Sequence, residues 1–155
     1  MRAFFDSNVF VYAFDNGDPA RQGMAQRLIG RHSSTAHALV LSTQVLMETY
    51  NMLTAKKRIA PTDALAAIRL LMQHEVVAPS ADAALRALEL AARHGVSAFD
   101  SLIVQAALDA GCDTLFSEDL QNGRRFGALQ VVNPFLLGAH EAGDGGYVAT
   151  APRAG

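Results

Sequence analysis

The sequence predicts an α/β fold: one mainly parallel sheet of five short strands, covered by helices on both faces. Three observations point to it. Short apolar runs alternate with longer helix-patterned segments, the order expected of parallel strands joined by helical crossovers. No hairpin turn signal joins any two of those runs. The chain has 155 residues, 50% of them hydrophobic, which suits one domain with one core.

Residues 2–5 read as a short buried strand. Ser7 or Asn8 can cap a following helix that carries Val9, Phe10, Tyr12 and Ala13. "DNGDP" (15–19) is a loop, and Pro19 is placed to open a helix reaching about Gly30. "ALVLS" (38–42) is the second strand, followed by helix from about Thr43 to Lys57. Pro61 and Thr62 head the next helix, and "VVAPS" (76–80) gives a third strand. "ADAALRALELAARHG" is a helix whose stripe reads Ala84, Leu85, Leu88, Ala91 and Ala92, with Gly95 at its end. "SAFDSLIVQAALDAG" repeats that format from Ser97 to Gly111. "DTLFS" (113–117) and "ALQVV" (128–132) are the fourth and fifth strands. The domain is therefore expected over residues 1–137, and the Gly/Ala-rich residues 138–155 as a flexible tail.

Composition excludes several classes. No apolar run approaches the ~20 residues that span a bilayer, and Asp6 interrupts any N-terminal secretory core. Cys112 is the only cysteine, so no internal disulfide forms, and no Cys/His spacing suggests zinc. A reducing, cytoplasmic setting is expected. The formal net charge is -2, with 13 Lys+Arg against 15 Asp+Glu, unlike a strongly basic nucleic-acid binder. Two local basic clusters stand out, Lys56-Lys57-Arg58 and Arg124-Arg125. The first can equally close a helix at its negative end. The five histidines show no ligand spacing and read as surface or helix-end residues.

The acids are more informative. Asp6 sits between two apolar runs, where a carboxylate is desolvated and needs a partner. Glu48 lies early in the helix after the second strand. Asp100 lies in the first turn of its helix, and Glu118 and Asp119 directly follow the fourth strand. Each has an ordinary explanation. Ser97-x-x-Asp100 could be an acidic capping box, Asp119 an N-cap, Glu48 an exposed helix position, and Asp6 an arginine's partner. In a parallel sheet, however, Asp6, Asp119 and the head of the Glu48 helix fall at one edge, outside the carboxyl ends of the strands, where ligands bind. Converging carboxylates either take up protons or share a cation. Oxygen-only ligands suit Mg²⁺ or Mn²⁺. Such ions serve phosphoryl chemistry by activating water and neutralising phosphate charge. No Gly-x-x-x-x-Gly-Lys loop is present, so a nucleic-acid phosphodiester is a better substrate than a nucleoside triphosphate.

"FFDSNVFVYAF", "STQVLMETYNMLT", "SAFDSLIVQAALDAGCDTLFSEDL" and "VVNPF", in this order from Ala3 to about Phe135, resemble the PIN-domain ribonucleases. The likeness is strongest to the VapC-like toxins of toxin–antitoxin pairs. The resemblance implies a Rossmann-like α/β/α sandwich, Mg²⁺- or Mn²⁺-dependent cleavage of RNA, and a cognate antitoxin. It places metal ligands on Asp6, Asp100 and Asp119. Glu48 would hold a metal or its water, or act as general base. Ser117 and Asn8 would orient carboxylates or water. Where many members carry a further acid, this chain has Gln121; Glu118, one residue before Asp119, would either share that work behind the ligands or be merely solvated. Lys57, Arg58, Arg124 and Arg125 are candidate phosphate contacts. The cleavage products would carry a 5′-phosphate and a 3′-hydroxyl.

Two other functions are weighed against this one. A non-cleaving RNA- or protein-binding module of the same fold has no need of four converging acids. A phosphotransfer domain needs a second acid close to its nucleophile, but "DSNVF" has Asn8 there, and no matching lysine motif appears. The apolar stretch "HALVLSTQVLMETYNML" suggests that part of it faces a second copy in a homodimer. The methionines are expected in the core or an interface.

Overall fold

The computed structural model describes residues 1–34 and 36–136. In chain order the elements are β1 (Arg2–Phe5), α1 (Ser7–Phe14), α2 (Pro19–Arg31), β2 (Ala38–Ser42), α3 (Thr43–Asn51), a π-helical turn (Met52–Lys56), α4 (Pro61–Leu71), β3 (Glu75–Val77), α5 (Ala81–His94), α6 (Ala98–Asp109), β4 (Thr114–Phe116), β5 (Arg125–Phe126) and β6 (Leu129–Val132). The sheet order is β3-β2-β1-β4-β6-β5. All neighbours are parallel except β5 and β6. From β1 the chain moves outward through β2 and β3, then returns to place β4 on β1's other side. The β1/β4 boundary is thus a topological switch point, and ligands bind there beyond the strands' carboxyl ends.

The central strands are apolar on both faces because helices cover both. Ala3, Phe4, Phe5, Val40, Leu41, Leu115 and Val131 are all buried. The helices form two packed groups, α1 to α4 and α5 with α6. Side-chain oxygens hold five helix starts, with Asp6, Asp18, Ser42, Ser80 and Ser97 each accepting a backbone N–H. Among the described residues, no helix is long and apolar enough to cross a membrane.

Several expectations are corrected. The sheet has six strands, not five. The extra one, β5, makes a hairpin with β6 across Gly127-Ala128, with Arg125 opposite Gln130 and Phe126 opposite Leu129. Gly127 has φ 61 and Ala128 is not at positive φ, the pattern of a two-residue type II′ turn. The third strand spans Glu75–Val77, ahead of the Ala78-Pro79-Ser80 that was read into it. The cap of α1 is Asp6 itself, not Ser7 or Asn8.

On α5 the buried side is Ala83, Ala87 and Leu90, while Leu85 and Leu88 stand more than half exposed. Alanines let α5 lie close on α6, and the larger leucines are left outside. Met47 and Met72 are likewise exposed. His32, expected near the surface at a helix end, is the C-cap of α2 but is buried. Its ring packs edge-on against Phe5 and Phe116, its Nδ1 meets Leu28 O at 3.1 Å, and burial lowers its pKa.

The helix expected to run to Lys57 is α-helical only to Asn51. Thr54 Oγ1 then bonds back to Tyr50 O at 2.9 Å, Lys57 N reaches Met52 O, and Arg58 turns left-handed at φ 56. This widened turn places Asn51, Met52 and Lys57 on the wall of the site described next. The predicted tail, residues 138–155, lies outside the described residues.

Candidate active site

A cavity of about 370 Å³ opens at the switch point. Its lining includes all four candidate acids, Asp6, Glu48, Asp100 and Asp119, together with Glu118. Among the described residues, Lys57 is the one cation in that lining.

Strand β1 delivers Asp6, whose backbone N–H continues the ladder to β4 by donating to Phe116 O at 3.0 Å. Its carboxylate is 4% exposed. Oδ1 accepts from Ser7 N at 2.8 Å, and Oδ2 accepts from the Ser117 hydroxyl at 2.7 Å. Burial raises its pKa to about 6. The bonds from Ser117 and Ser7 oppose the rise, and the charges of Asp119 and Glu48 add to it. So the carboxylates do repel one another, as their convergence predicts.

Strand β4 delivers the other half of this corner. Ser117 Oγ also accepts from Asp119 N at 3.2 Å. Asn8 sits in the first turn of α1 and bridges the same segment. Its Oδ1 accepts from Glu118 N at 3.1 Å, and its Nδ2 donates to Asp119 Oδ2 at 3.2 Å. Ser117 and Asn8 therefore lock Asp6 and Asp119 to each other through short polar links.

Glu48 comes from α3, where Gln44 Nε2 donates to its Oε2 at 2.9 Å and the Ser7 hydroxyl to its Oε1 at 3.4 Å. Asp100 comes from α6. Ser97 Oγ accepts from Asp100 N at 3.2 Å, but the Asp100 carboxylate lines the cavity. Ser97 is thus a cap, and Asp100 remains available for chemistry.

Glu118 has its own partners. The Tyr12 hydroxyl donates to it at 3.1 Å, and Arg21 Nε lies 3.7 Å away. Arg21 also stacks on the Tyr12 and Phe135 rings. Burial, and then the bond to Glu118, raise the Tyr12 pKa. Lys57 pairs with Asp15 at 3.2 Å. The other predicted cations lie off the cavity lining. Arg58 is exposed beyond the π-helical turn. Arg124 donates to His94 O and stacks on Phe126, and Arg125 lies on edge strand β5.

A hard divalent ion fits this donor set. Every acidic donor is a carboxylate oxygen, and one of them is buried with a raised pKa. Among the described residues no three acidic, His or Cys side chains close around a single point. That spacing leaves room for a hydrated ion held directly by one or two carboxylates.

The PIN-domain family model matches residues 3–125. The chain belongs to the PIN-domain family. Among solved structures it is similar to Mycobacterium tuberculosis VapC20, described as a sarcin–ricin loop cleaving toxin. The two share 27% identity at a TM-score of 0.63, over 76% of this chain and 89% of that one. It is similar in fold to a toxin–antitoxin complex from Klebsiella pneumoniae (20% identity, TM-score 0.65, 86% of this chain and 98% of that one). The same holds for VapBC2 from Rickettsia felis bound to a promoter DNA fragment (18%, TM-score 0.59, 84% and 97%). No curated protein matches.

Sequence reasoning gave no site role to Val11, Tyr12, Asn51 and Met52, which line this PIN-domain site, or to Gln44, which bonds Glu48. Helical spacing offered a signal. Gln44 is four residues before Glu48, and Tyr12 four after Asn8, so each shares a helix face with a chosen residue. Asn51 and Met52, three and four residues after Glu48, carry the same signal.

Proposed function

We propose that this PIN-domain chain is a Mg²⁺- or Mn²⁺-dependent endoribonuclease and the toxin of a toxin–antitoxin pair. The observation that carries this reading is the gathering of Asp6, Glu48, Asp100 and Asp119 around one cavity at the switch point. The likeness to VapC20, described as a sarcin–ricin loop cleaving toxin, supports it. Asp6, Asp100 and Asp119 would hold the metal, one or two of them directly and the rest through its bound waters. Glu48 holds a metal or its water, or takes the proton from the attacking water. When bound, the ion supplies Lewis acidity at the phosphate and a nucleophile at neutral pH. Asn8 and Ser117 keep Asp119 and Asp6 in register. Glu118 is committed to Tyr12 and Arg21 and acts behind the ligands. The partners are RNA and a cognate antitoxin in the cytoplasm. Of the apolar stretch 37–53, Leu39, Val40, Leu41, Val45 and Leu53 are buried in the core, and Met47 is the large apolar side chain left exposed to meet a second copy.

The test is cleavage of end-labelled single-stranded RNA in Mg²⁺, in Mn²⁺ and in excess chelator, beside Asp100→Asn. The reading expects metal-dependent cutting, 5′-phosphate product ends, and loss of cutting in Asp100→Asn. A folded protein that binds Mn²⁺ but leaves varied RNAs intact would support the non-cleaving module instead.

Lys57 would meet a phosphate, since among the described residues it is the one cation that lines the acidic cavity. Lys57→Met is expected to weaken RNA binding alike across sequences and to flatten its log–log salt dependence by about 1. Binding titrations at several salt concentrations measure this. An unchanged slope would remove Lys57 from the substrate path.

A further inference from the structure

Gln44 does something that the acids alone do not explain. It lies in the first turn of α3, one turn before Glu48. Its Nε2 donates to Glu48 Oε2 at 2.9 Å and also to Phe99 O at 3.1 Å. Both partners can only accept, so the orientation of the amide is fixed by chemistry. Its Oε1 is buried with no partner among the described residues. The fold tolerates that unmet oxygen to keep Nε2 where it is, although a buried unpaired acceptor is costly.

The second acceptor gives the contact its meaning. Phe99 immediately precedes Asp100 in the first turn of α6. One amide therefore spans from the α3 carboxylate to the backbone that carries the α6 carboxylate. The two helices pack mainly elsewhere, α3 on α1, α4 and β2, and α6 on α5, β2 and β4. Among the described residues, no other side-chain hydrogen bond links α3 to α6. Asp6 and Asp119, by contrast, are already locked by Ser117 and Asn8.

We infer that Gln44 is a positioning residue, whose amide bridge between Glu48 and the Phe99 carbonyl sets the spacing of Glu48 and Asp100 for metal binding. The inference rests on the acids being a metal site. Hydrogen-bond partners behind metal ligands typically govern about 10–100-fold in affinity.

The test is Mn²⁺ binding to the whole chain, measured by water-proton relaxation, in wild type, Gln44→Met and Phe99→Ser. Gln44→Met keeps the side chain's length and removes the donor. It is expected to weaken Mn²⁺ at least tenfold, with melting temperature within a few degrees of wild type. Its RNA cleavage should fall at low Mn²⁺ and recover as Mn²⁺ is raised. Phe99→Ser removes only the side chain, which is 71% exposed, and leaves the bonding carbonyl, so its Mn²⁺ affinity should stay at the wild-type level. Wild-type affinity in Gln44→Met, or a loss matched by Phe99→Ser, overturns the positioning role alone. Failure of wild type itself to bind Mn²⁺ overturns the metal site and the inference with it.

Discussion

Asp6→Asn is expected to abolish RNA cleavage while making the metal-free protein more stable at neutral pH. The two effects share one cause. The Asp6 carboxylate is buried, and its pKa stands near 6 in the folded chain, against about 3.9 in an unfolded one. An acid whose folded pKa is raised favours folding fully only while it stays protonated. That stability is present below about pH 4 and is lost as pH rises through about 6. At pH 7.5 the ionised side chain therefore burdens the metal-free fold by up to about 3 kcal/mol. Asparagine carries no charge. Its carbonyl can still accept from Ser7 N, and its amide can donate to Ser117 Oγ. The variant should thus exceed wild type in chelator-treated urea unfolding at pH 7.5 and converge with it near pH 4. Mn²⁺ should then raise wild type and leave the variant unmoved. Cleavage should drop on the order of 10³-fold, the value of several kcal/mol of lost transition-state stabilisation. A variant that gains no stability at pH 7.5 would show that Asp6 is not a strained anion. A variant that still cuts would remove it from the reaction.

This trade explains why the site was legible in the sequence. Asp6 sits between Phe5 and Val9, both fully buried, and an acid in such company is either an error of folding or a device. The strand-end placement of Asp6 and Asp119 followed from the alternation of strands and helices, because parallel strands send their carboxyl ends to one edge. The four acids were therefore visible before any coordinates. What carried no local signal was whatever depends on pairing between distant segments. Arg125 and Phe126 form a strand only because Leu129 folds back on them at Gly127. The α5 stripe was misread because leucines outweigh alanines in a hydrophobic pattern, whereas close packing on α6 favours the small residues. Thr54's bond back to Tyr50 turned the end of α3 into a π-helical turn, and periodicity cannot distinguish that from an α-helix. Glu118 looked like a spare acid; its ties to Tyr12 and Arg21 come from α1 and α2, about a hundred residues earlier in the chain.

Ser117→Ala is expected to move the acid limb of the cleavage profile to higher pH and to reduce cleavage about 10–100-fold. Ser117 is fully buried between two acids. Its hydroxyl donates to Asp6 Oδ2 and accepts from Asp119 N, so one atom orients both. The donated bond is the strongest influence holding the Asp6 pKa down against burial. Without it, Asp6 rises above its present value near 6, and protons compete better with the metal for the same oxygens. At subsaturating Mn²⁺ the acid limb therefore shifts upward, and added Mn²⁺ should draw it back. Stability carries the same sign. Near pH 4, where Asp6 is neutral, the metal-free variant loses only a neutral hydrogen bond, about 1 kcal/mol. The deficit should grow as pH rises past 6, because the ionised oxygen then lacks its donor. Ser117→Thr keeps the hydroxyl and should keep the limb in place, even if its added methyl lowers the melting temperature. If Ser117→Ala loses activity with an unshifted limb and a stability deficit that ignores pH, the hydroxyl serves packing, and the proton–metal competition at Asp6 is controlled from elsewhere.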